Sequence, residues 1–224
     1  MSKINIVFEG KELTQSRFNE IEKYVLEYFL SLWNDIRNSI YSLRKNDSKL
    51  VKSELCLAFI GADTLSRFRE IITTGKEEKS NEDRFREWFD DFVFNQRNEA
   101  YSQQKNEIGC DSSTAWKLRN SLLHFYGLPD LKSEHVGFGA LDQTLIKKFK
   151  TLVSRNHSGK QTRVINPYRL IEAILGGFLT QGEVLSEMIK GVNDQEKEIY
   201  AKGIVKCYEI IQNEGTVHVP FEKK

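Results

Sequence analysis

The sequence predicts a mainly α protein: a helical bundle with a small β-hairpin appended. Apolar residues recur every three or four positions over several long segments. Helix-starting residues such as Ser80, Asp111, Asn166 and Asp194 stand directly before such segments. The region around 149–165 reads as paired strands. The 224 residues suit one domain, with an N-terminal arm or strand over 1–12, a basic β-hairpin insertion over 131–165 and C-terminal helices over 166–214.

Ile4, Ile6 and Phe8 alternate with polar residues, which suits a short strand or a loosely attached arm. From Leu13 to Lys45, Phe18, Ile21, Val25, Phe29, Trp33, Ile36, Ile40 and Leu43 step by three or four and predict one long amphipathic helix, or two in line. Asn46-Asp47-Ser48 breaks it. Leu50–Ile72 predicts a second helix, central to the bundle because Leu55–Ala62 is almost wholly apolar. Asp63 follows that run. Its simpler reading is an i,i+4 couple with Arg67; its sharper one is to orient Arg119 or His124 from a neighbouring helix. Thr73–Asn81 is polar and reads as a mobile loop. Ser80 and Asp83 make a capping-box-like start to a third helix ending near Phe94, with Phe85, Phe89 and Phe92 opposite an acidic ladder of Asp83, Glu87 and Asp91. The ladder suits a solvated face better than a metal site, because hard cations need converging oxygens.

Phe149–Arg155 and Gln161–Ile165 flank Asn156-His-Ser-Gly-Lys160 and predict the hairpin. Lys147, Lys148, Lys150, Arg155, Lys160 and Arg163 lie in this stretch, and 147–163 contains no acid. Such a segment suits RNA phosphates or a plain solvated edge. Asn166 with Pro167 starts a helix to about Lys190, with Leu170, Ile174, Leu175, Phe178, Leu179, Val184, Leu185 and Ile189 inward. Gly176-Gly177 within it implies a close helix approach or a kink. A last helix runs from Asp194 to Gly215, and Thr216–Phe221 reads as a final strand beside the N-terminal one.

The most informative stretch is 111–129. Asp111, Ser112 and Ser113 are competent N-caps, and Gly127 with Pro129 is a stop signal. Between them Ala115, Leu118, Leu122 and Phe125 form a core-facing stripe. Trp116, Arg119, Asn120, Leu123 and His124 fall on the other side, an unusual content for a solvated face. This face reads as a second covered face, with Trp116 and Leu123 as an apolar seam for a homodimer.

The string Arg119-Asn120-x-x-x-His124 resembles the Arg-polar-x-x-x-His signature of the HEPN superfamily, helical bundles many of which are metal-independent endoribonucleases. The resemblance covers roughly 13–130 and, more weakly, 164–212. It implies Arg119, Asn120 and His124 as catalytic residues, RNA as substrate, no cofactor, and products with 2′,3′-cyclic phosphate and 5′-hydroxyl ends. His124-Phe-Tyr126 is similar to the His-x-Tyr extension of HEPN toxins controlled by a nucleotidyltransferase. It marks Tyr126 as a regulatory residue and an antitoxin or nucleotidyltransferase as a partner. The chemistry is consistent with the residue types. A histidine, with an ordinary pKa near ~6.5, moves protons on and off the 2′- and 5′-oxygens at neutral pH. A guanidinium offers a fixed bidentate donor to charge on the phosphorane-like transition state.

Composition sets the outer bounds. A net charge of +1 argues against an overall basic nucleic-acid binder but leaves room for a local patch. Three scattered cysteines, Cys56, Cys110 and Cys207, form neither a disulfide framework nor a metal clip, which suits a cytoplasmic protein. No apolar run approaches a membrane span, and no signal-peptide pattern is seen. The alternative reading is a non-catalytic HEPN-type module that dimerises and binds RNA or regulates; a metal enzyme built on the acidic ladder is a third. The biological setting (toxin, phage defence or RNA processing) stays open.

Overall fold

The computed structural model describes residues 7–8, 11–46, 50–103, 108–129, 134–139, 161–191 and 194–214. Within these, helices dominate. Strands β1 (Val7–Phe8) and β2 (Lys11–Glu12) form a minimal antiparallel pair. Helices α1 (Gln15–Asn46) and α2 (Val51–Thr74) follow. Then come α3 (Asn81–Trp88), a π-helical turn over Phe89–Val93, α4 (Glu99–Ser102) and α5 (Ser112–Phe125). Strands β3 (Glu134–Phe138) and β4 (Gln161–Ile165) precede α6 (Pro167–Gly191) and α7 (Asp194–Glu214). None of the described helices is long and apolar enough to cross a membrane.

Helix α2 is the axis. Leu55, Ala58, Phe59 and Ala62 have no solvent exposure, as the apolar run predicts. Around its first half pack α3 and the π turn, α5 and α6; around its second half pack the start of α1 and α7. The aromatic face of α3 is buried as predicted, with Phe85 stacked on Phe89 at 4.5 Å between centroids. After Trp88 the helix widens, Phe94 N–H reaching back five residues to the Phe89 carbonyl at 2.8 Å, so that Phe89, Phe92 and Val93 are all buried.

Gly176 and Gly177 mark a close approach. A Cβ at Gly176 would collide with the buried Asn98 amide, which donates to the carbonyls of Phe92 (3.0 Å), Val93 (3.0 Å) and Ala173 (2.7 Å). The loop after α2 is tethered, contrary to its polar composition. The buried Glu70 carboxylate accepts from the backbone N–H groups of Glu78 (2.9 Å) and Lys79 (2.7 Å), and Glu77 accepts from Arg67 and Arg84. The acidic ladder does not converge: Glu87 and Asp91 accept from Arg69, Glu87 also from Lys79, and Asp83 accepts from the Ser80 hydroxyl.

The expected hairpin arm 149–155 and its turn lie outside the described residues, but strand β4 is present; among the described residues it pairs with β3, in parallel, from Glu134↔Gln161 to Phe138↔Ile165. A parallel pair requires a long connection between its strands, and residues 139–160 supply that length. Strand β3 escapes sequence reading because Glu134-His-Val-Gly-Phe138 contains a glycine and too few β-formers. Thr216–Phe221 also lies outside the described residues.

Candidate functional site

Helix α5 is fixed at its start by three contacts. Asp111 is the N-cap, accepting from Thr114 N–H at 2.7 Å. Its other oxygen accepts from Arg163 of β4 at 2.8 Å, and Arg163 also donates to the Thr114 hydroxyl at 3.0 Å. Burial would push the Asp111 carboxyl up, but Thr114 and Arg163 together hold it below the ordinary aspartate range. Gly109 approaches β4 with φ +69°, and a Cβ there would strike the Val164 carbonyl. Arg163 therefore anchors β4 to α5. Lys147, Lys148, Lys150, Arg155 and Lys160, the other cations expected to grip RNA, lie outside the described residues.

Two turns on, Arg119 reaches across to α2. Its Nε donates to Asp63 Oδ2 at 2.7 Å, and its Nη2 donates to the same oxygen. Its Nη1 donates to Asn120 Oδ1 at 2.8 Å, and its guanidinium lies 5.2 Å from the centre of the Trp116 ring. The sharper reading of Asp63 is the observed one; Arg67 pairs with Glu77 at 3.0 Å. Arg119, Arg67 and Arg84 with Asp63, Thr64 and Asn81 line a polar cavity of about 210 Å³. Trp116 is half-buried, its ring 5.3 Å from Phe85 of the same chain, so part of the expected seam is used within the chain; Leu123 remains half-exposed.

His124 is exposed, and its ring meets Phe125 edge-on at 6.2 Å. Among the described residues no hydrogen bond orients it. Arg119 and Asn120 are thus brought together, while among the described residues no hydrogen bond joins His124 to either. Phe125, expected in the core stripe, is 84% exposed, whereas Ala115, Leu118 and Leu122 are buried. The last turn of α5 projects beyond the core layer that covers the other three.

Tyr126 is the C-cap of α5. It leaves the helix in the left-handed region (φ 52°, ψ 28°), and Tyr126 N–H and Gly127 N–H return to the carbonyls of Leu122 (3.0 Å) and Ser121 (3.2 Å). The left-handed residue is thus Tyr126 rather than the glycine. Its hydroxyl lies 2.9 Å from Ser53 Oγ, and Lys52 donates to its carbonyl at 3.2 Å while lying 5.3 Å from its ring centre. It belongs to the start of α2.

The Asp63 carboxyl is raised above its ordinary value because burial outweighs the lowering by Arg119. An acid raised in the folded chain contributes stability that is complete below its unfolded pKa and is lost as pH rises through the folded one. Asp63→Asn should therefore flatten the fall in stability as pH rises above about 4, the ordinary aspartate value. Urea unfolding across that range checks this. A wild-type chain that gains stability relative to D63N as pH rises would show that the Arg119 pairing dominates.

A search of known proteins finds no matching family model, no matching curated protein and no matching solved structure.

Proposed function

We propose that this chain is a metal-independent endoribonuclease of the HEPN type, working in the cytoplasm as a homodimer. The observation that carries the reading is on α5: Arg119, held by Asp63 and Asn120, is followed five residues later by an exposed histidine on the same helix. In this reading His124 transfers protons at the 2′- and leaving 5′-oxygens, and Arg119 takes the charge on the nonbridging phosphate oxygens. Asn120 sets the guanidinium plane. Asp63 is a positioning residue that holds Arg119 until a substrate phosphate competes for it.

The 147–163 segment contributes sequence-independent grip on RNA. Tyr126, half-exposed beside Lys52, is the point at which a nucleotidyltransferase partner would act, in the setting of a toxin or phage-defence effector. A second reading, a dimerising RNA-binding or regulatory module without catalysis, is favoured by one observation: the Arg119 charge is already matched by Asp63.

Incubation of purified protein with mixed RNA separates the two. Cleavage should persist in excess chelator. The new 5′ ends should accept phosphate from a polynucleotide kinase without prior dephosphorylation, and the 3′ ends should carry a cyclic phosphate. RNA retained but uncut would establish the second reading, and cleavage abolished by chelator would point to metal chemistry.

A further inference from the structure

The long helix α1 does not bury its stripe evenly. Phe18, Ile21, Val25, Ile36 and Ile40 are buried, but Phe29 and Trp33 are only half-buried and Leu30 is 57% exposed. The reason is a cleft of about 600 Å³ between α1, α2 and α6. Its walls are mainly apolar, from Leu26, Phe29, Leu30, Leu65, Phe178 and Leu185. Cavities of this size hold small organic molecules. It opens on a different part of the molecule from Arg119 and shares no lining residue with the polar cavity there.

Two polar side chains interrupt the apolar wall. Gln181 is 2% exposed, and its Oε1 accepts from the buried Trp88 indole N–H at 2.6 Å. That contact assigns the amide: the oxygen faces Trp88, and Nε2 is left with no partner among the described residues. The Trp33 indole N–H is likewise buried and unpartnered. Both residues line the cleft, and Gln181 lies on the wall between it and a second, polar cavity beside Arg69 and Asp91. Buried donors are almost always satisfied, so two of them in one apolar wall ask for an acceptor. The polar rim carries exposed Glu183, and Glu187, which accepts from Arg97 at 3.2 Å. An anionic ligand would meet repulsion there.

We propose that this cleft is a binding site for a small, mainly apolar, uncharged molecule carrying a carbonyl acceptor for the Gln181 and Trp33 N–H groups. The ligand's apolar body fills the space between Phe29 and Phe178, and side-chain adjustment exposes the two donors to its oxygen. This site does not depend on the ribonuclease reading.

Three matched probes test it by calorimetry on the full chain: butyrophenone, butylbenzene and 4-phenylbutyrate. The ketone should bind with one-to-one stoichiometry, at least about tenfold tighter than the hydrocarbon, and the carboxylate should bind weakest. Trp33→Phe should reduce the preference for the ketone over butylbenzene while leaving butylbenzene binding in place. Gly182 lines the cleft, and a Cβ there meets nothing within 4 Å, so Gly182→Leu should fill the cleft without disturbing the fold. That variant should lose ketone binding and keep the wild-type circular dichroism spectrum. The proposal is overturned if no probe binds, if butylbenzene binds as tightly as the ketone, or if G182L binds like the wild type. It is also overturned if the chain self-associates and Leu30→Glu dissociates it, for then a second copy occupies the cleft.

Discussion

His124→Ala should lower RNA cleavage by about 10²–10⁴-fold, the usual worth of a positioned general acid–base group. The same change should move the melting temperature by no more than ~1–2 °C, because substitutions at exposed positions away from packing cost little. The ring is exposed, and its contact is with Phe125, itself on the surface. Arg119→Ala is expected to behave differently. It should also lose cleavage, but it leaves Asp63 half-buried without its donor pair and so destabilises the chain by about 1–2 kcal/mol. His124 therefore gives the cleaner test of chemistry. Single-turnover cleavage of end-labelled RNA, run beside thermal melts of both variants, reads the two effects separately. A His124→Ala protein that cleaves at the wild-type rate would remove the histidine from the chemistry.

Helix legibility followed how regular the burial is. α1 and α2 could be read within two residues of their observed ends because one face of each is packed over most of its length, which leaves a repeating apolar signal. The Asp63–Arg119 pair was visible only as one of two options. Its partners are 56 residues apart, and nothing in the sequence near Asp63 distinguishes Arg119 from Arg67, one turn away. Phe125 misled for a related reason. Periodicity assigns a face, but it does not say where the neighbouring layer ends, and α5 runs past it. The left-handed turn falls on Tyr126 and not on Gly127, a shift of one residue that the Gly-x-Pro stop signal does not show. Arg163 was counted with a basic surface patch because sequence shows charge but not the N-cap carboxylate waiting 52 residues upstream.

Mixing Arg119→Ala protein with His124→Ala protein should restore cleavage that neither variant shows alone. Arg119 and His124 differ by about 140° around α5 and by ~7.5 Å along it. The side chains diverge accordingly: Arg119 turns to α2 and Asp63, and His124 stands exposed at the helix end. One phosphate is not easily held against both within a single chain. A twofold partner resolves this, since isologous pairing places each patch against its own copy. Trp116 is already packed on Phe85, so the mating surface falls to Leu123, half-exposed, and to the exposed ring of Phe125 at the end of α5. Across such a proposed seam the arginine of one chain would approach the histidine of the other. A heterodimer of the two variants then contains one intact site and one doubly damaged site. With random exchange about half of all dimers are heterodimers, so the mixture should recover about one quarter of wild-type activity per chain. Differently tagged chains that co-purify establish exchange. If exchange is complete and the mixture remains as inactive as its components, each site lies within one chain and the shared arrangement is wrong.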